Sequence, residues 1–373
     1  MIVFAYLLPL AAALILKTAL DYGGDWKTYL WLVAGGEAFV AGLHYLFHYQ
    51  QTSVREYLGS LVSRLHYEEP WTELVPQTVT RRDSRGNTYT TVRMRHVYHP
   101  ERYYFDTSRG STINTDGSFF RYVADRWGVV PTRVYWRNAN IRGGIRYGLD
   151  AAAPAIADGE AIDDVRWVGV TESHRYSNRI RNSNSIFKYR HISRKEAQAL
   201  GLYDYPAIQG HEAPAVLSRD VNIDFRIRQK FNRFNGALAP LRQMRLYILV
   251  FRAESGVGMA ELQRAYWQGG NKNEFVVCLG MTPEGRVEWA TAFSWADSQE
   301  LETATADWFM RNPQVDWDEF HSWFARESAG WKRKEFSDFK YIGVNLRLWQ
   351  VLTLYGLTAA VLTGALILII KHS

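Results

Sequence analysis

The sequence has a single cysteine, Cys278, which excludes an intrachain disulfide and any zinc site built from paired cysteines. Cys278 lies in the apolar run FVVCLG, where a buried structural thiol is expected because a reactive thiol needs an exposed, electropositive site. The motifs HExxH, GxSxG and Gly-Lys-Ser/Thr are also missing, as is the protein-kinase set. The sequence therefore contains no motif for catalysis, and we expect no cofactor.

Charge is distributed unevenly, although the formal net charge is only +6. Residues 81–146 contain 13 arginines, no lysine and 5 acidic residues, whereas residues 254–330 contain 13 acidic and 5 basic residues. Blocks of this kind form solvated faces or two parts of one protein that face each other. They are also typical of proteins that bind an anionic partner, such as nucleic acid or lipid headgroups.

Long apolar runs at both ends of the chain predict three transmembrane helices, at 2–20, 29–49 and 348–370. Each run is long enough to cross a hydrocarbon core of roughly 30 Å at 1.5 Å per residue. The first run lacks the basic segment of a signal peptide, and the short link 21–27 predicts a transmembrane helical hairpin over residues 1–50.

Lysine and arginine are concentrated where the predicted spans meet the long middle segment of the chain. They are Arg55, Arg64, Lys332, Arg333, Lys334, Lys340 and Arg347. Because cytoplasmic flanks carry this bias, we expect a multi-pass inner-membrane protein with a cytoplasmic soluble domain. Its N-terminus would be inside and its C-terminus outside, with the lipid bilayer as its first partner.

Three polar residues, Lys17, Glu37 and His44, lie within the first two predicted spans. An acid inside a membrane predicts either an ion path or a packing contact. We favour a Glu37 pair with Lys17 or His44 that fixes helix packing, because three spans with one deep acid make a poor transporter.

The soluble part is predicted in three pieces. Residues 52–65 have apolar side chains at helical spacing, which predicts a juxtamembrane amphipathic helix over 51–70. Residues 71–240 are predicted to form a β-rich, basic and aromatic domain, with further strands at 101–110, 119–128 and 132–144.

Two alternating runs around residues 84–87 predict a β-hairpin in this domain. On its second strand Arg93 and Arg95 share one face, which is typical of a wet or anion-facing sheet surface. Arginines interleaved with aromatic residues are also found on single-stranded nucleic acid surfaces, although strand cores use the same residues more often. Arg93 and Arg95 are therefore candidate interaction residues.

Residues 241–335 are predicted to form an acidic α/β domain with the element order β-α-β-β-α-α, in which helices cover a sheet. Gly269 and Gly270 follow a helix and precede a strand, which predicts a helix C-cap and a turn rather than a phosphate loop. Asn271 and Lys272, at the polar tip of this link, are candidate interaction residues. The stretch 255–258 has the strand–loop–helix order but lacks the third glycine of a dinucleotide fingerprint.

Asp316, Asp318 and Glu319 form an acidic cluster at the start of a predicted helix. First-turn acids are favoured by the helix macrodipole, and this interpretation is preferred over a divalent metal site. The three residues remain the candidate metal ligands of the chain.

The segment 244–330 contains, in this order, YILVF, AELQRAYWQ, GGNKNEFVVCLG, EGRVEWATAF and DWDEFHSWF. In its order of parts the segment resembles the TPM domain family, which is often tethered to membranes. The second strand ends in 292–295, AFSW, where the family has a glycine-rich end. The resemblance implies a TPM-like fold, but it carries over no catalytic residue.

The overall prediction is a membrane-anchored α+β protein whose cytoplasmic domain acts as an interaction or assembly module and forms a homo-oligomer or binds a protein partner. One alternative is a membrane-tethered, TPM-like, metal-dependent phosphohydrolase. Another is a binder of nucleic acid or anionic lipid through its arginine-rich face.

Overall fold

The computed structural model describes residues 2–18, 23, 25–82, 86–137, 145–154, 166–183 and 186–371. Three predicted features lie partly outside the described residues: the link 21–27 of the transmembrane hairpin, the β-turn at 84–87 and the C-terminal tail 371–373. The described helices are α1 (Ile2–Ala5), α2 (Leu8–Thr18), α3 (Trp26–Thr52), α4 (Gly117–Trp127), α5 (Arg194–Ala199), α6 (Phe225–Arg242), α7 (Gly258–Tyr266), α8 (Gln299–Arg311), α9 (Trp317–Glu327) and α10 (Leu348–Lys371). The described strands are β1 (Ser53–Glu68), β2 (Trp71–Arg82), β3 (Thr88–His99), β4 (Arg102–Thr107), β5 (Thr112–Thr115), β6 (Thr132–Arg137), β7 (Ile145–Ala152), β8 (Gly169–Ser177), β9 (Val216–Ser218), β10 (Arg245–Arg252), β11 (Glu274–Met281) and β12 (Val287–Ser294).

The chain divides into two compact units. The helical unit comprises Met1–Arg55, Arg175–Arg190 and Glu335–Ser373, and the sheet unit comprises Glu56–His174 and His191–Lys334. The predicted ranges 71–240 and 241–335 fall in the sheet unit, apart from Arg175–Arg190 and Glu335, which belong to the helical unit. The mixture of helices and sheets confirms the α+β class.

Two helices of the helical unit are long and apolar enough to cross a membrane. Their best windows have a mean hydropathy of 1.4 for α3 and 2.1 for α10. Only 17% of the residues in each window are buried, unlike the core helix of a soluble protein.

The predicted first span is wrong as a single membrane-crossing helix. A turn at Tyr6 and Leu7 separates α1 from α2. Pro9 has no N–H to bond the carbonyl of Ala5, and its ring clashes with that carbonyl, so α1 ends at Ala5. The 11 residues of α2 rise only about 16 Å, which is about half of the hydrocarbon core.

The polar residues of the helical unit pack differently from the prediction. The Tyr6 hydroxyl lies 3.0 Å from His44 Nδ1, while Glu37 forms no ion pair with a described residue. Lys17 lies in the last turn of α2. A Cβ at Gly36 would lie 2.7 Å from Pro9 Cβ, so this glycine allows α2 to pack closely on α3.

The predicted amphipathic helix over 51–70 is wrong, because α3 ends at Thr52 and β1 follows directly. β1 pairs with β4, β7 and β8, and residues 58–62 are all buried. A central strand buried on both faces shows no alternation, so its apolar residues can imitate helical spacing. The sheet around β1 has the order β5-β4-β1-β7-β6, with β8 also paired to β1.

The strand predicted at 119–128 is wrong, and this segment lies in helix α4. Asp116 caps the helix by accepting hydrogen bonds from the backbone N–H groups of Ser118 (2.8 Å) and Phe119 (2.9 Å). Gly128, with φ 66°, ends it in the left-handed conformation that glycine tolerates. The strand predicted at 101–110 is confirmed over 102–107 as β4, and the strand predicted at 132–144 is confirmed over its described part, 132–137, as β6.

The order β-α-β-β-α-α is confirmed from β10 to α9. β10 runs parallel to β9 and β11, and β12 pairs antiparallel with β11. One face of this sheet packs against α6, α8 and α9, and the other packs against α5 and α7. Cys278 is fully buried on the second face, and burial raises the pKa of its thiol, as expected for a structural cysteine.

Glycines allow close packing where β1 and β8 meet α6. A Cβ at Gly59 would lie 2.1 Å from the backbone oxygen of Asn235, and one at Gly236 would lie 2.9 Å from the backbone oxygen of Ser60. A Cβ at Gly169 would lie 3.0 Å from the backbone oxygen of Asn232. The segments can approach this closely because none of these glycines carries a side chain.

Arg245, at the start of β10, is only 1% exposed and joins β10 to β8 and to the segment before β9. Its guanidinium donates to the Ala213 carbonyl (2.6 Å), to the Tyr247 hydroxyl (2.7 Å) and to the Thr171 hydroxyl (3.3 Å). These bonds satisfy a charge that would otherwise be costly to bury.

Candidate functional site

The most exposed feature of the sheet unit is the predicted β-hairpin, here called the arm (residues 71–82 and 88–99). β2 and β3 pair in register from Trp71 opposite His99 to Arg82 opposite Thr88 and form a two-stranded sheet of their own. Twelve residues per strand make the arm about 40 Å long. Among the described elements, neither strand packs substantially on anything but the other.

The two faces of the arm differ in chemistry. Arg93 and Arg95 share one face, and Arg81, opposite Tyr89, lies on the same face. All three arginines are exposed, and Arg93 and Arg95 donate no hydrogen bond to a described residue. Arg93 and Arg95, two of the predicted interaction residues, are therefore accessible and form no hydrogen bond with the described residues.

The opposite face of the arm carries apolar side chains in water. Val92 is 63% exposed, Met94 50% and Tyr98 66%. A two-stranded hairpin is at best marginally stable in water without a third layer, and exposed apolar patches mark interaction sites. The arm therefore has the chemistry of a surface that a partner covers.

A stack of side chains fixes the base of the arm. The rings of Trp71 and His99 lie 4.2 Å apart at 12°, and the Arg146 guanidinium lies 4.8 Å from the Trp71 ring centroid. His99 Nε2 lies 3.0 Å from a carboxylate oxygen of Glu73. β1 brings Arg146 to this place, because it pairs Glu68 with Gly148 just before the arm begins.

An open cleft of about 710 Å³ lies beside this stack. It is lined by Glu68, Trp71, His99, Pro100, Glu101, Arg102, Tyr103, Asn114, Thr115, Asp116, Gly117 and Arg146. Its size is typical of a ligand pocket, but its lining mixes both signs of charge.

The cleft acids already accept hydrogen bonds from the protein. Tyr104 donates to Glu68 at 3.1 Å, and burial together with the charge of Glu68 raises the pKa of Tyr104 to about 12. The Ser118 side chain and the Phe119 backbone donate to Asp116 and hold its pKa below the usual value. Arg102, across the cleft, donates to Asn114 Oδ1 at 2.8 and 2.9 Å.

A second charged surface lies on α8 and α9, whose helices pack through Trp308 against Phe320 at 5.1 Å. Its exposed carboxylates, here called the acidic surface, are Glu300, Asp307, Asp316, Asp318, Glu319 and Glu327. Three of these carboxylates are ion-paired: Asp307 with Arg311 (3.8 Å), Asp318 with Lys230 (2.7 Å) and Glu327 with Arg326 (3.4 Å). The surface nevertheless carries more acidic than basic groups, so its net charge is opposite in sign to that of the arm.

The candidate metal ligands perform structural roles. Asp316 caps α9 by accepting from the backbone N–H groups of Asp318 (2.9 Å) and Glu319 (3.0 Å). Asp318 pairs with Lys230 at 2.7 Å, and this hydrogen bond and charge lower the pKa of Asp318. Within the described ranges no group of three or more acids, histidines or cysteines could hold a metal ion.

Asn271 and Lys272 do not form an exposed contact surface, because both are buried. Lys272 Nζ lies 3.6 Å from Glu56, and Asn271 donates through its side chain to Glu274 at 2.8 Å. Burial raises the pKa of Glu56, although the charge of Lys272 opposes the shift. The Asn271 backbone N–H also donates to Glu274 at 2.8 Å, so contacts with Glu274 and Glu56 hold the predicted tip inside.

The glycine motifs behave as expected. Gly269 and Gly270 have φ of 79° and 83°, and the Gly269 N–H donates to the Arg264 carbonyl at 2.8 Å, which confirms the predicted C-cap and turn. The loop at 255–258 does lead into α7, but neighbouring Arg252 is paired with Asp220 at 2.8 Å.

Sequence reasoning found Arg93 and Arg95 but missed Trp71, His99 and Arg146. Trp71 and Arg146 are far apart along the chain, and neither lies in a motif. The only signal was the alternation of β2 and β3, which indicated a hairpin but not what lies at its base.

Comparison with known proteins identifies no relative. No protein-family model matches the chain, and no curated protein or solved structure is significantly similar to it. The resemblance of residues 244–330 to the TPM domain family therefore rests on the order of the elements alone.

Proposed function

We propose that this chain is a membrane-anchored assembly protein in which the arm of one copy binds the acidic surface of a second copy. The observation that carries the proposal is the arm, a long two-stranded sheet with three arginines on one face and exposed apolar side chains on the other. The enzyme alternative has less support, because the acids it would need cap and brace α9.

Membrane anchoring by α3 and α10 is the first part of the proposal. Leu30, Trp31, Leu352 and Ile367 are all more than half exposed, which suits helices that face lipid. The lysines and arginines next to both helices favour a cytoplasmic sheet unit in an inner membrane.

We expect the full chain to sediment with membranes after cell lysis and to resist extraction with alkaline carbonate. Two apolar helices bury far more apolar surface in lipid than a peripheral contact can. Fractionation followed by immunoblotting checks this result. Recovery of the intact chain in the supernatant without detergent would refute anchoring.

The charges of the chain favour a second copy of the same protein as the partner that covers the arm. The arm exposes Arg81, Arg93 and Arg95, and the same chain exposes carboxylates on α8 and α9, so each copy carries both complementary surfaces. Such complementarity raises association rates and fixes the register of an interface. If the arms of two copies are exchanged reciprocally, the contact closes a two-fold dimer; if each arm binds the next copy, it builds a ring or a filament.

We expect the double change Arg93→Glu with Arg95→Glu to weaken self-association of the detergent-solubilised full chain by about 100-fold, because it places like charges opposite each other. The complementary double change Glu300→Lys with Glu319→Lys should weaken it similarly. A mixture of the two variants should associate again, since each reversed arm then meets a reversed surface. Sedimentation velocity and pull-down between differently tagged copies measure this.

The control is Arg121→Glu with Arg226→Glu, which changes the net charge equally at exposed positions outside the arm. It should leave association unchanged. If the mixture of the two variants fails to associate, the proposal that the arm binds a second copy is refuted. Salt-sensitive binding of the wild type to DNA or to vesicles containing anionic lipid, lost in the arm variant without any effect on self-association, would instead favour the anion-binding alternative.

A further inference from the structure

Among the described residues, Arg146 at the edge of the cleft has no hydrogen-bond acceptor. Its Nε is buried and donates to none of them, and the side chain forms no ion pair with them. The Trp71 ring at 4.8 Å holds the guanidinium in place. A buried donor that lacks an acceptor is costly, so this group is prepared for an acceptor from outside the chain.

The acids beside Arg146 do not provide that acceptor. Glu68 accepts from Tyr104 at 3.1 Å, and Glu101 accepts from Tyr67 at 3.4 Å. Asp116 accepts the two backbone N–H groups that begin α4. These donors are neutral, so the three carboxylates keep their charge and the lining is mixed in sign. Arg146 differs from the acids in that its Nε makes no hydrogen bond to a described residue, whereas each acid already accepts one.

We propose that the cleft is a carboxylate-binding subsite in which Arg146, stacked on Trp71, receives an acidic side chain from the acidic surface of a second copy. This inference rests on the proposed assembly and identifies Arg146 as a central contact residue of its interface. The planar guanidinium donates two parallel hydrogen bonds to a carboxylate, which a lysine cannot do. Arginine and tryptophan are also the residue types enriched at interface hot spots.

The test measures two quantities on the detergent-solubilised full chain: self-association by sedimentation velocity, and binding of a fluorescein-labelled hexaglutamate peptide by anisotropy. We expect Arg146→Gln to weaken both by about 30-fold. Arg146→Lys should weaken both by about tenfold, because the charge remains while the bidentate geometry is lost. Melting curves recorded for each variant show that it is folded.

The matched control is Arg133→Gln. Arg133 belongs to the same sheet and lies 5.0 Å from the Tyr147 ring centroid, but it already faces Glu69 at 3.6 Å. It should bind the peptide as the wild type does. Equal losses in the Arg133 and Arg146 variants would show a general charge effect and overturn the subsite.

The two proposals can fail separately. If the arm variant loses self-association but Arg146→Gln retains both self-association and peptide binding, the assembly stands and the subsite is overturned. If Arg146→Gln loses peptide binding while the arm variant associates normally, the carboxylate-binding chemistry stands and the assembly is overturned.

Discussion

Replacing Gly59 by alanine should destabilise the sheet unit by about 3 kcal/mol, since the added methyl group meets backbone rather than a movable side chain. Its Cβ would lie 2.1 Å from the backbone oxygen of Asn235 and 2.9 Å from the Gly236 nitrogen. Helix α6 cannot move away from β1 without breaking hydrogen bonds. The Asn235 side chain accepts from the N–H of Leu246 on β10 at 2.8 Å and donates to its carbonyl at 2.9 Å.

Thermal unfolding of the full chain in detergent measures this effect, and we expect the melting temperature to fall by at least roughly 6 °C. The matched control is Gly258→Ala, at the first position of α7, where a Cβ would meet nothing within 4 Å. Because alanine favours helix more than glycine does, the control should be neutral or slightly stabilising. A Gly59→Ala chain that melts with the wild type would contradict the close packing of β1 on α6.

Glu212→Gln should stabilise the protein at pH 8 and leave it nearly unchanged at pH 5. Burial raises the pKa of Glu212 from 4.5 to about 7, although a hydrogen bond from Asn232 and the charges of Arg245 and Arg233 oppose the shift. The folded protein therefore favours the protonated carboxyl. Its contribution to stability is fully present below pH 4.5 and is lost as the pH rises through about 7.

Glutamine mimics the neutral carboxyl at every pH, so the variant should lose this part of the pH dependence. A pKa difference of one corresponds to about 1.4 kcal/mol; because Glu212 remains partly exposed, we expect a gain of about 2 kcal/mol at pH 8. Melting curves at pH 5, 6, 7 and 8 measure it. The control Glu288→Gln removes an exposed carboxylate from β12 and should leave the wild-type profile in place; an identical profile for the Glu212 variant would contradict the assignment.

Local chemistry predicted much of the α/β part. Three features depend on residues only a few positions apart and can therefore be predicted from the sequence. They are the apolar strands between 245 and 294, the glycine cap after α7 and the acidic start of α9. The hairpin that became the arm was predicted for the same reason, because alternation and turn residues are local signals.

The errors at the first span and at α4 came from local signals that were not used, Pro9 and the Asp116 cap. The other errors arose where distant parts of the chain decided the outcome. The residues of β1 have helical spacing, yet three partner strands make it a central strand with both faces buried. Asn271 and Lys272 looked like an exposed polar tip, but hydrogen bonds and charges contributed by Glu274 and Glu56 hold them inside.

By itself, the sequence determined the apolar length of α3 and α10, the uneven charge and the two faces of the arm. All of these depend on residue type and short spacing, which act before the chain folds. Only the tertiary structure decided that Trp71, His99 and Arg146 meet at the base of the arm, and that the Arg146 Nε has no acceptor among the described residues. The physical reason is that strand pairing joins residues far apart along the chain, and the partners that remain for each polar group are known only once the pairing is complete.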